Sequence, residues 1–144
     1  MLEWNRLHQV LEKSSSCHRQ LAVKYEQFAK FVADQVTEPT FHIKGLGISL
    51  QLDQGYFVTT FAGRTLQFTF ESVPDGNGIM IGKVSCHRKK LLPSLEYISI
   101  GEFQFTDNGQ TNLVDPMEND PLTIDVDLAA LYVVLHFIQE SLQQ

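Results

Sequence analysis

Reactive side chains are few in this sequence, and their spacing argues against catalysis. Cys17 is followed by His18, and Cys86 by His87. A thiolate nucleophile needs a base within hydrogen-bond reach. The first pair falls in a helical pattern, where consecutive side chains diverge around the axis. The second falls in a strand pattern, where neighbours point to opposite faces. Both cysteines therefore read as small buried hydrophobes. The five histidines, His8, His18, His42, His87 and His136, contain no HExxH pair, and the cysteines lack zinc-finger spacing. Gly76, Gly78 and Gly82 do not make a phosphate loop, because Gly82-Lys83-Val84 continues a strand pattern. No catalytic, cofactor or metal site is expected, and the chain is read as non-enzymatic.

Carboxylates form the densest polar cluster. Asp107, Asp115, Glu118, Asp120, Asp125 and Asp127 fall in or beside a segment broken by Pro116 and Pro121. They lack the ligand order of a calcium loop, so the reading is a solvated acidic surface. Residues 1–90 hold all 11 Lys and Arg against eight carboxylates, whereas residues 91–144 hold nine carboxylates and neither Lys nor Arg. The formal net charge is -6. An acidic surface of this kind, formed by Asp107, Asp115, Glu118, Asp120 and Asp127, would steer a protein partner with a basic surface. The opposite pole is a candidate basic patch of Lys83, His87, Arg88, Lys89 and Lys90. Phosphate contact there would need stacking aromatics beside it, but Phe68, Phe70, Phe103 and Phe105 share the parity of aliphatic neighbours and belong to a core. Nucleic acid is disfavoured.

These residues must be positioned by a single 144-residue unit, long enough to bury a core without staples. Leu7, Leu11, Ser14, His18, Leu21, Tyr25, Phe28 and Val32 recur at steps of four and three, which places them on one helical stripe over residues 1–38, ended by Pro39. Such a helix is about 50 Å long. That exceeds a typical strand, so the surplus stripe needs a cover. Either a second subunit packs on Leu7, Leu11, Ser14, His18, Leu21, Tyr25 and Phe28 as a homodimer, or the helix breaks near Ser14-Ser15-Ser16 and folds back.

Residues 40–106 alternate apolar and polar positions between short turns, the clearest being Asp75-Gly76-Asn77-Gly78. They predict an antiparallel meander of about five strands, with parity breaks at Gly45 and Gly101 marking bulges. An acidic loop over 107–125 follows, with a short strand or extended lead-in near Leu122–Val126. A helix over 126–142 is expected, N-capped by Asp125. The fold class is thus α+β, with both helices covering one sheet face.

No stretch is apolar enough for a membrane span, and two widely spaced cysteines suit reduced thiols in a cytoplasmic protein. The function class that fits best is a small acidic protein-binding module: an adaptor, chaperone, inhibitor or immunity-type protein. One alternative is a small-molecule binder or cryptic enzyme with a pocket between sheet and helices, marked by converging polar groups such as Tyr56, Tyr97, Arg64 or His42. The other is a nucleic-acid-associated regulator using residues 83–90.

Overall fold

The computed structural model describes residues 3–39, 41, 43–126 and 128–144. Helix α1 (Trp4–Thr37) runs unbroken for 34 residues, through Ser14–Ser16. Its end follows from Pro39, which forces the preceding residue out of helical geometry. Glu38 accordingly sits at φ -65, ψ 131, and its N–H donates to the Gln35 carbonyl.

Seven antiparallel strands follow in sequence order. They are β1 (Gly47–Gln51), β2 (Tyr56–Phe61), β3 (Arg64–Pro74), β4 (Met80–Lys90), β5 (Glu96–Phe105), β6 (Gln110–Val114) and β7 (Pro121–Thr123). The sheet therefore has seven strands, not five. Of the two extra strands, β6 lies in the segment expected to be a polar loop, and β7 overlaps the short strand or extended lead-in expected near Leu122–Val126. Each is short, and Pro116 and Pro121 hide the periodicity. Thr111 and Leu122 nevertheless face inward, tied by a hydrogen bond from the Thr111 hydroxyl to the Leu122 carbonyl, 2.7 Å.

The parity break near Gly45 lies before β1 rather than within a strand, at a left-handed turn with φ +83. The break at Gly101 is a bulge: Cys86 pairs with Gly101 but His87 with Ser99, leaving Ile100 as the extra residue. The β3–β4 turn is held by Asp75, whose carboxylate accepts from the N–H groups of Asn77 and Ile79 at 2.8 and 2.9 Å. Gly78 supplies the positive φ that this turn requires.

Both helices cover one sheet face. Leu21, Tyr25, Phe28, Ala29 and Val32 of α1 are buried against it. Phe28 meets Phe57 and Phe103 edge-on, with ring centroids 5.9 Å apart in each case. The Tyr25 hydroxyl donates to the Phe68 carbonyl at 2.7 Å, and burial pushes this phenol well above the usual tyrosine range. Helix α2 (Ala129–Ser141) adds Phe137, which stacks on Phe103 at 6.0 Å. It begins three residues later than the periodicity predicts, and Asp125 is not its N-cap. Leu128 occupies the cap position at φ 68, with no side-chain cap bond. The Asp125 carboxylate instead forms an ion pair with Lys24 of α1, which removes it from any capping role.

Strand β4 leaves no room above Gly82: a Cβ there would overlap the Phe105 ring. Gly82→Ala should therefore cost about 1–3 kcal/mol by overpacking, and Leu21→Ala about 2–5 kcal/mol by opening a cavity. Urea unfolding measures both. Wild-type stability in either variant would contradict the packing described.

Candidate functional site

The reactive residues are dispersed by the fold. Cys86 lies buried on β4, opposite Phe68, and burial pushes its thiol up to about 12. His87 points to the other sheet face, as strand alternation requires. Cys17 is half-buried in a cleft beside Val10 and Lys13. His18 turns toward the sheet, where Nδ1 is hydrogen-bonded with the Ser72 hydroxyl and the ring lies 5.6 Å from Phe70. Elsewhere, His8 pairs with Glu12 on the surface at 3.2 Å. His136 lies against Tyr132 and Phe137. His42 is outside the described residues. Among the described residues, no three His, Cys, Asp or Glu side chains gather as a metal-holding group.

The basic run does not form one patch. Lys83 faces outward between Glu102 at 3.1 Å and Glu71 at 3.7 Å, and Glu102 raises its ammonium above the usual lysine range. His87 is on the same uncovered face, in a shallow depression of about 420 Å³ with Gln67, Thr69, Ser85 and Tyr97. Arg88 pairs with Leu66, and so belongs to the helix-covered face. Lys89 and Lys90 alternate again. A run of cations on a strand is split between two surfaces by its own period. The polar groups named for a ligand pocket do not converge either. Tyr97 lines the outer depression, while Arg64 opens β3 from the other face and donates to the Gln144 carbonyl at 3.3 Å.

The carboxylates divide into two groups. Asp107 and Asp125 lie beside cations of α1. Asp125 pairs with Lys24, and Asp107 borders a depression with Arg19 and Lys24. Part of the acidic pole is thus neutralised locally. Asp115, Glu118 and Asp120 all lie in the β6–β7 turn, and none of them forms an ion pair among the described residues. This turn is internally braced. The Asp115 carboxylate accepts from the Met117 N–H at 2.8 Å, and the Asp115 N–H donates to the Asp120 carbonyl at 2.8 Å. At its tip Met117 is 92% exposed. Sequence periodicity passes over Met117 because it belongs to no stripe. The available signal is a large apolar residue isolated between Pro116 and Glu118. Asp127 is outside the described residues.

The α1 stripe also divides. Leu21, Tyr25 and Phe28 enter this chain's own core, and Ser14 is half-buried at its margin. Leu7 and Leu11 remain in solvent, with Trp4 and Val10 near them on the same helix. Between this part of α1 and the β3–β4 turn lies a cleft of about 530 Å³, floored by Val10, Cys17, Leu21, Ile79 and Ile81. Asp75 and Asp107 stand on its strand side and Lys13 on its helix side.

Comparison of the chain with protein-family models, curated proteins and solved structures finds no match. Function must therefore be argued from these surfaces.

The two thiols should differ in access. Native protein at high dilution, treated with iodoacetamide at pH 8, should be alkylated at Cys17 and spared at Cys86, with both modified in urea. Peptide mass spectrometry reads the result, and native labelling of Cys86 would contradict its burial.

Proposed function

We propose that this protein is a small non-enzymatic protein-binding module whose recognition element is the β6–β7 turn. The observation that carries this reading is Met117, 92% exposed at the tip of a hydrogen-bonded turn and followed by Glu118 and Asp120. An apolar anchor on a pre-ordered loop binds with little loss of conformational freedom. Flanking carboxylates speed encounter with a basic surface and orient the docking. The chemistry fits a partner that offers an apolar socket rimmed by Lys or Arg. The net charge of -6 adds long-range attraction to such a surface. Two free thiols support a reducing, cytoplasmic setting.

Affinity capture from a host lysate, with Met117→Lys/Glu118→Lys/Asp120→Lys beside wild type, tests the reading. Wild type should retain a stoichiometric polypeptide that is lost as salt rises and lost in the triple variant. The variant should remain folded, since exposed turn substitutions change stability by about 0.5 kcal/mol or less each. Equal capture by both proteins, or capture by neither, would overturn the assignment.

A further inference from the structure

We propose that the amino-terminal half of α1 is a self-association surface, and that its occupant is a second copy of this chain. The first fully buried residue of α1 is Leu21. The preceding part is about 17 residues and about 25 Å long at the helical rise. A free helix of that length is marginal in water. This one also carries three consecutive serines at its centre, Ser14–Ser16, yet stays helical throughout.

The surface has the size and composition of an interface. Trp4, Leu7, Val10 and Leu11 are 68, 51, 53 and 67% exposed, and Ile79 across the cleft is 62% exposed. Their exposed apolar area is about 500 Å², in the roughly 300–600 Å² range of the largest apolar patch on a monomer, a patch that is often functional. With a polar margin it approaches the roughly 800 Å² per partner of a standard interface.

Two features select a second copy as the occupant. The first is the charge of the helix end. Before Leu21 it carries Glu3 and Glu12 against Arg6, Lys13 and Arg19, with Glu3–Arg6 at 3.4 Å and Glu12–His8 at 3.2 Å. In a chain of net charge -6, this is a region that can meet itself without like-charge repulsion. The second is that the same surface holds both halves of a contact: a projecting, slightly basic, apolar helix, and a cleft with an apolar floor and Asp75 and Asp107 on one side. A two-fold pairing lays each helix end along the other copy's cleft, with cations beside carboxylates, and closes as a dimer.

Trp4 is the single tryptophan of the chain, so its emission reports this surface directly. Light scattering after gel filtration should give twice the 16.4 kDa chain mass for wild type. Dilution of wild type should shift Trp4 emission to the red as the dimer dissociates. Leu7→Lys/Leu11→Lys should raise the dissociation constant about 100-fold or more, while the Leu21–Val36 amides keep their wild-type protection from hydrogen exchange. Met117→Lys should remain dimeric, which separates this proposal from the partner-binding reading of the β6–β7 turn. A wild-type monomer at about 100 µM, dilution without an emission shift, or an undiminished dimer in the double lysine variant would each overturn it.

Discussion

The burial of Tyr25 and Phe28 between α1 and the sheet is the constraint on which the rest of the architecture depends. Phe28 meets Phe57 from β2 and Phe103 from β5. Tyr25 stacks on Phe70 and donates its hydroxyl to the backbone of β3. These contacts tie one turn of helix to strands distant in sequence, and they leave the phenol no alternative partner in water. Phe137 then closes the other side of the same aromatic layer. The helix position along the sheet is thereby set, and so is the amount of helix left over. A 34-residue helix is about 51 Å long, whereas the longest strands, with 11 residues, span about 36 Å. The apolar stripe continues past the covered region, and its first two turns lie in solvent for that reason.

Electrostatics follow from the same placement. Lys24 lies one residue before Tyr25, so anchoring the tyrosine brings the ammonium to Asp125 and joins α1 to the segment leading into α2. Carboxylates close to α1 are therefore partly compensated. Those on the β6–β7 turn form no ion pair among the described residues, and Asp115 is engaged in bracing the turn that displays Met117. The acidic balance of the chain is thus resolved into a neutralised seam and a charged tip, two environments with different uses.

Much of the fold was legible where periodicity runs long. The 3.6-residue stripe from Leu7 to Val32 gives a helix over 1–38, observed as Trp4–Thr37, and alternation around Leu66, Phe68 and Phe70 gives the core face of β3. The bulge at Gly101 was legible from a change of parity. Strand β6 was not, because five residues followed by proline carry too few repeats to register, and the three-residue β7 was legible only as one of two options near Leu122–Val126. The start of α2 was also misjudged. Asp125 has the right residue type for a cap, but a tertiary ion pair with Lys24 competes for its carboxylate, and local propensity cannot anticipate that. The candidate surfaces were legible only as composition. Residues 83–90 are rich in cations, but the strand period divides them, and only the register with Leu66 and Glu71 reveals which side each one occupies.

The central claim is that α1 has two distinct halves, one belonging to the core of its own chain and one to an interface. Hydrogen–deuterium exchange across α1 at several protein concentrations tests it most directly. Amides from Leu21 to Val36 should show strong protection that does not depend on concentration. Amides from Leu7 to Ser16 should exchange rapidly in dilute protein and become protected as concentration rises. Protection of Leu7–Ser16 that is the same at every concentration, whether high or low, would contradict the division.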